Sequence, residues 1–157
     1  MTQSTDRIER QILIKATRDR VWKALSNAEE FGKWFGVNLS GKSFAAGQRV
    51  QGQIRIPGYE YITFDIHIEQ MDPQRSLVWR WHPAPVERGV DYSDEPTTRV
   101  EFTLADADAN GERGTLVKVV ETGFDQLSAD RRQSAFRMNS GGWDGQSKNL
   151  RNHVEAT

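Results

Sequence analysis

Two tryptophans stand two positions apart in the segment SLVWRW. Trp79 and Trp81 fall on the same face of any strand that contains them, because side chains alternate between the two faces of a strand. Each indole offers a large flat surface and one N–H donor, a combination that suits a flat or amphipathic ligand. The alternative is that both rings fill a solid core.

Two charged residues are expected on the same strand faces as their apolar neighbours. Arg10 stands between Ile8 and Ile12 at steps of two, and Glu121 follows Val119 at the same step. Both charges are therefore expected to point inward, where an unpaired charge is costly to bury. Each is a candidate for an ion pair or for the polar anchor of a ligand's head group.

Known catalytic and metal-binding patterns are missing from the sequence. There is no cysteine, and His67, His82 and His153 form no HxxxH pattern and no cluster with carboxylates at metal-binding spacing. No GxSxG, Walker or dinucleotide-binding glycine motif occurs. We therefore predict no catalytic residue, no metal site and no cofactor, and an enzyme is disfavoured because it would depend on scattered acid–base residues.

The composition is that of an ordinary globular chain. Of its 157 residues 36% are hydrophobic and 27% charged, and 21 Lys and Arg against 22 Asp and Glu leave a net charge of -1. This balance is not typical of disordered chains or of strongly basic nucleic-acid-binding proteins. No apolar run approaches the roughly 20 residues that a bilayer requires, and the start has no secretory signal. We predict one domain over residues 1–157 with no nucleic-acid partner, no membrane span and a cytoplasmic location.

Alternating apolar residues predict six strands in antiparallel order. The first spans Ile8–Ala16 and the last spans Thr115–Thr122. Turn sequences at Pro57-Gly58, Asp72-Pro73 and Asn110-Gly111 separate consecutive segments. The six segments centre on Ile12, Ile54, Ile66, Trp79, Phe102 and Val119.

Three helices accompany the strands. Thr17 and Asn27 are placed to cap two short helices directly after the first strand. The last thirty residues lack alternation and predict one long helix. Its apolar stripe includes Phe136, Trp143, Leu150 and Val154. Because Gly141, Gly142 and Gly145 each cost about 1 kcal/mol relative to Ala, the middle of this helix is expected to be kinked or held by tertiary packing.

The order of these elements and four local patterns resemble a known family. The first pattern is the segment IERQILIKATRDRVWKALSNAEEFGKWF, which resembles the opening of the heat-shock protein 90 ATPase activator homologue family, within the START-like (SRPBCC) superfamily. Matches to its aromatic strand, its last hairpin and its glycine-tryptophan helix follow in DPQRSLVWRW, GERGTLVKVVETGF and GGWDGQSKNLRNHV. The resemblance covers the expected core, residues 8–154. It implies an α+β helix-grip fold, in which a curved six-stranded antiparallel sheet wraps around the C-terminal helix.

The resemblance also implies a ligand cavity between the sheet and the C-terminal helix. The residues expected at this site are Arg10, Phe64, Ile66, Trp79, Trp81, Phe102, Val119, Glu121, Met138 and Trp143. His82 is expected near the cavity mouth. The family usually has a large aliphatic residue where this chain has Ser147, so the helix, with Gln146 beside it, is expected to present a more polar wall. The alternative is again a filled core.

Three functions are compatible with this resemblance, because a fold does not fix a function. The leading prediction is binding of a small apolar or amphipathic molecule without covalent chemistry. The second is a chaperone-partner role with heat-shock protein 90, which the family name implies. The third, a cyclase- or hydrolase-like enzyme, is disfavoured because the inward polar set is small.

Two further expectations depend on the helix-grip order. The first and last strands would be antiparallel neighbours, so we predict that Arg10 and Glu121 form an inward ion pair. The segment from Pro83 to Pro96 is long for a hairpin loop and carries three prolines and four acidic residues. It is expected to be either a variable surface loop or a lid over the cavity.

Overall fold

One antiparallel sheet and a long helix organise the chain. The computed structural model describes residues 6–156, so residues 1–5 and 157 of the predicted domain lie outside the described residues. In chain order the elements are β1 (Arg7–Ile14), α1 (Arg18–Ser26), α2 (Ala28–Phe35), β2 (Val37–Asn38), β3 (Arg49–Ile54), β4 (Thr63–Asp72), β5 (Ser76–Trp81), β6 (Thr98–Ala109), β7 (Glu112–Thr122) and α3 (Ala129–Glu155).

The sheet has the strand order β1-β7-β6-β5-β4-β3-β2, and every pair is antiparallel. It is curved and unclosed, and α3 packs on it, which confirms the predicted α+β helix-grip fold. The described residues form seven strands rather than six. The sequence missed β2 because two residues are too short to show alternation.

The short helices begin where the sequence predicted. The Thr17 side chain accepts a hydrogen bond from the backbone N–H of Arg20 at 3.3 Å, and the Asn27 side chain accepts one from Glu30 at 2.9 Å. Each bond satisfies a backbone donor that the first helical turn leaves unpaired. Gly36 ends α2 with a φ of 91°, a left-handed conformation that glycine adopts without strain.

The helix α3 is continuous over 27 residues. Its apolar stripe is buried against the sheet at Trp143, Leu150 and Val154, so tertiary packing holds the glycine-containing middle. A Cβ atom added at Gly141, Gly142 or Gly145 would have no neighbouring atom within 4 Å. No helix within residues 6–156 is long and apolar enough to cross a membrane.

The core lies between the inner face of the sheet and the helices. The alternating residues that the sequence placed inward are buried along the central strands, except that Trp81 at the end of β5 is only partly buried. At the centre, Phe31 of α2 stacks on Phe35 with ring centroids 4.9 Å apart and meets the Trp79 ring edge-on at 5.7 Å. Side chains of α2 therefore fill the middle of the concave face.

Two helical glycines should respond in opposite ways to the same substitution. A Cβ at Gly32 would lie 2.4 Å from the backbone oxygen of Val37, so Gly32→Ala should lower the free energy of unfolding by about 1–3 kcal/mol. Gly145→Ala adds a methyl group in open space and should raise it by about 1 kcal/mol. Urea unfolding of both variants measures this, and a change of the same sign in both would contradict the packing described here.

Candidate functional site

A cavity of about 460 Å³ opens between α3 and the end of the sheet formed by β3 and β4. Its volume lies in the range of small-molecule sites, about 300–1,000 Å³. Four parts of the chain form its walls, namely the end of α2, the β3–β4 hairpin, the loop after β5 and one face of α3. The apolar residues of the walls are Phe35, Ile54, Ile56, Tyr59, Ile62, Phe64, Trp81, Ala84, Pro85, Tyr92, Met138 and Trp143.

Four aromatic rings form a continuous wall of the cavity. The ring centroids of Phe35 and Phe64 are 5.4 Å apart, and those of Phe64 and Trp81 are 6.2 Å apart at an interplanar angle of 82°. Trp81 also lies 6.0 Å from Trp143 on α3. These distances are typical of favourable aromatic contacts. The rings support one another and present apolar surface to the cavity.

The Glu121 side chain on β7 lies behind this wall and is fully buried. Its carboxyl group accepts hydrogen bonds from the indole N–H groups of Trp81 and Trp143, each at 2.8 Å. The Asn139 amide donates to both oxygens at 2.9 and 3.1 Å, and the Thr98 hydroxyl also donates. One buried carboxyl group therefore fixes three side chains of the cavity wall.

The predicted ion pair between Arg10 and Glu121 is wrong. Arg10 does lie on the inward face, where its Cα is opposite Val119. Its guanidinium donates instead to Asp144 at 2.6 Å and to the Ser140 hydroxyl at 2.7 Å. Both partners belong to α3, which crosses above β1 and supplies the acceptors for Arg10.

The structure brings only part of the predicted site together. The predicted residues that line the cavity are Phe64, Trp81, Met138 and Trp143. Ile66 and Trp79 are fully buried in the core, where α2 fills the space beneath them. Phe102 and Val119 border a void of about 10 Å³ under α3. The concave face is thus filled at its centre and open at one end.

Several cavity residues were missed because they lie outside regular strands. Tyr59 belongs to the tip of the β3–β4 hairpin and Tyr92 to the loop after β5, where the sequence has no alternation that could assign a direction. The α3 residues Asn139, Gly142 and Gln146 recur at steps of three and four around Trp143. That spacing is the signal that could have identified them.

The polar wall expected from Ser147 is realised only in part. Ser147 borders the small void under α3 and is not part of the cavity lining. Gln146 does line the cavity, and its amide donates to the backbone oxygen of Phe35 at 2.8 Å. The polar side chain of α3 on this side therefore connects the helix to α2 through a hydrogen bond.

The loop over residues 83–96 forms one wall of the cavity. Arg131 of α3 donates to the backbone oxygen of Pro83 at 2.7 Å and to both carboxyl oxygens of Glu95 at 2.9 Å. Its guanidinium also lies 4.7 Å from the ring centre of Tyr92. The hydrogen bonds that Arg131 donates to Glu95 raise the pKa of Arg131. Contacts to one arginine thus attach the loop to α3.

Charged groups at the edge of the cavity are paired or capped within the protein. Arg49 donates to the two carboxyl oxygens of Asp65 at 2.9 and 2.6 Å, and these bonds lower the pKa of Asp65. Asp91 accepts from the backbone N–H of Ser93 at 2.9 Å, and hydrogen bonds from Ser93 lower the pKa of Asp91.

Within residues 6–156, no three His, Cys, Asp or Glu side chains are grouped so that they could hold a metal ion.

Comparison with known proteins supports one family. The family model described as Activator of Hsp90 ATPase homolog 1-like protein matches residues 15–155. A search of curated proteins gives no significant match.

Solved structures with the same fold share little sequence with this chain. MLL2253 from Mesorhizobium loti is 18% identical with a TM-score of 0.69, and the match covers 96% of this chain and 98% of that one. The Aha1 dimer from Colwellia psychrerythraea is 17% identical with a TM-score of 0.67, covering 95% and 96%. A protein from Arthrobacter aurescens is 11% identical with a TM-score of 0.74, covering 99% and 91%. At these identities the likeness shows the fold alone.

Replacing Glu121 by Gln should destabilise the fold markedly. The new amide would place an N–H₂ group among donors, so at least one indole N–H loses its acceptor, and the free energy of unfolding should fall by about 2 kcal/mol or more. The control is Glu101→Gln on β6, where the partly exposed ion pair with Arg99 predicts a change within about 0.5 kcal/mol. Denaturant unfolding followed by tryptophan fluorescence compares the two, and equally small changes would contradict the role of Glu121.

Proposed function

The chain belongs to the Activator of Hsp90 ATPase homolog 1-like family, and from this premise we propose that it binds a small apolar or amphipathic molecule in the cavity beside α3. The observation that carries the proposal is the unfilled volume of about 460 Å³. Elsewhere under α3 the gap is about 10 Å³, so the space between α3 and the sheet is open at the end where the aromatic side chains lie.

The rim of the cavity supports the same proposal. Ile56, Tyr59 and Met138 line the cavity and are also among the exposed large hydrophobic residues, at 38%, 39% and 37% exposure. Grouped apolar residues on a protein surface commonly mark a binding site. A bound apolar molecule would cover part of this rim and gain the free energy of removing apolar surface from water.

Gly142 provides a way to close the cavity without disturbing the fold. It lines the cavity from α3, and a Cβ at this position would have no atom within 4 Å. Gly141 is its immediate neighbour in the helix, has the same open surroundings and does not line the cavity. Both positions lie inside a helix, where Leu is favoured over Gly.

Gly142→Leu should therefore weaken binding while Gly141→Leu should not. We expect wild type and Gly141→Leu to bind the neutral fluorescent probe phenylnaphthylamine saturably and with equal affinity. Gly142→Leu should bind at least about tenfold more weakly, because its side chain occupies the cavity. Fluorescence titration measures the affinities, and circular dichroism confirms that both variants are folded.

Binding that is unchanged in Gly142→Leu, or absent in wild type, would reject the cavity as a binding site. A native mass spectrum of protein purified from its own cells extends the test to the natural ligand. The expected result is a retained small molecule in wild type that is lost in Gly142→Leu.

A second candidate function is a chaperone partnership, which the description of the matched family favours. The solved structure from Colwellia psychrerythraea is likewise named Aha1. A protein partner would contact the outer surface of the domain, whereas the cavity is of the size that suits a small molecule. The two functions therefore predict different sensitivities to closure of the cavity.

If the chain binds heat-shock protein 90, Gly142→Leu should bind it as well as wild type does, because the substitution changes one position of the cavity lining and leaves the rest of the domain surface as it is. Pull-down at tens of micromolar, with an established activator of the family as the positive control, measures the association. No association of wild type under conditions where the control binds would remove the chaperone function.

A further inference from the structure

One wall of the cavity is attached to the rest of the protein differently from the others. The walls from α2 and α3 are helical, and the β3–β4 hairpin is held by paired strands. The loop over residues 83–96 contains no helix or strand. Its residues in the lining are Ala84, Pro85, Asp91, Tyr92 and Ser93. This loop is therefore the wall that can move at the smallest cost in free energy.

The backbone hydrogen bonds of the loop stay within it. The N–H of Val86 donates to the backbone oxygen of Ala84 at 2.9 Å, and that of Glu95 donates to Tyr92 at 3.0 Å. The Tyr92 hydroxyl also accepts from the backbone N–H of Glu87 at 3.1 Å. Among the described residues, no hydrogen bond between backbone groups joins residues 85–95 to a helix or a strand. This segment can therefore move together while keeping its own internal bonds.

The beginning of the loop is fixed, whereas its middle is exposed. Pro83 and Ala84 are buried, and Ala84 packs in the hydrophobic core. His82, which was expected near the cavity mouth, lines the cavity just before them. All residues from 87 to 91 are exposed. The movable part is thus residues 85–95, which we call the lid.

Arg131 of α3 connects the fixed beginning of the loop to the far end of the lid. Its guanidinium donates to the backbone oxygens of Pro83 and Ala84 at 2.7 and 3.3 Å. It also donates to both carboxyl oxygens of Glu95 at 2.9 Å and lies 4.7 Å from the ring centre of Tyr92. Arg131 itself is not part of the cavity lining. One side chain outside the cavity therefore holds the lid against the helix.

A second attachment joins the lid to the β3–β4 hairpin. The Tyr61 hydroxyl donates to the backbone oxygen of Val86, and the Arg88 guanidinium lies 3.9 Å from the centre of the Tyr61 ring. Tyr61 and Arg88 are both exposed, and such contacts at exposed residues are individually weak. The lid can therefore open by breaking a small set of side-chain contacts.

We propose that residues 85–95 form a lid that opens to admit and release the ligand, and that Arg131 is the positioning residue that holds it closed. The inference rests on the proposed function, since it concerns the same cavity. A ligand that enters and leaves only through the open form exchanges at a rate proportional to the population of that form. Because Arg131 contacts the lid and does not line the cavity, it stabilises the closed lid equally in the free and the bound protein.

Removing this side chain should therefore raise the association and dissociation rate constants together. Stopped-flow fluorescence with phenylnaphthylamine measures both constants in wild type and in Arg131→Met. We expect each to rise at least about fivefold while their ratio, the affinity, changes by less than about twofold. Glu95→Gln should have the same effect in smaller size, and the double variant should exchange no faster than Arg131→Met alone, because both changes remove one shared contact.

Tyr61→Phe provides an independent variant at the other attachment. It removes only the hydroxyl that bonds to Val86, so both rate constants should again rise together, by a smaller factor. The matched control is Arg132→Met, the next residue of α3, which pairs with Asp125 at 3.6 Å. It should leave both rate constants unchanged. Urea unfolding checks that every variant is folded.

Three results would overturn the inference. If Arg131→Met speeds dissociation but not association, the loop is a fixed wall, and the lid is wrong while the cavity remains a binding site. Rate constants that stay unchanged in both Arg131→Met and Tyr61→Phe would contradict the lid in the same way. If the probe does not bind wild type, the inference and the proposed function fail together.

Discussion

The buried carboxyl group of Glu121 is the interaction on which the cavity wall depends. A carboxyl group removed from water must be hydrogen-bonded, because its desolvation would otherwise outweigh much of the stability of a domain. Its donors are a hydroxyl on β6, an indole on β5, and an indole and an amide on α3. Satisfying this one group therefore fixes α3 at a defined position over three neighbouring strands.

The same hydrogen bonds determine which surface the wall presents to the cavity. Trp79 and Trp81 were expected to offer indole donors to a ligand, but Trp79 is buried in the core and the Trp81 donor, like that of Trp143, is bonded to Glu121. What Trp81 and Trp143 present to the cavity is therefore apolar ring surface. The wall is apolar because its polar atoms are used to hold it in place.

Patterns within a single element predicted much of the fold and less of the site. Alternation gave the inward phase of Arg10 and Glu121, and side-chain caps gave the starts of α1 and α2. The partners of these two charges could not be predicted, because they depend on how α3 is rotated and placed over the sheet. The hairpin tip and the loop at residues 83–96 also lack a repeating pattern, and they form much of the cavity.

The open space lies at one end of the sheet because of where α2 ends. Phe31 fills the centre by packing against Trp79 and Phe64, with ring centroids 5.7 and 5.8 Å apart. Phe35, one turn later, is the last residue of α2, and it belongs to both the core and the cavity wall. Gly36 then turns the chain away with a φ of 91°. Because the last side chain of α2 lies in the cavity wall, the end of the helix is also the edge of the open space.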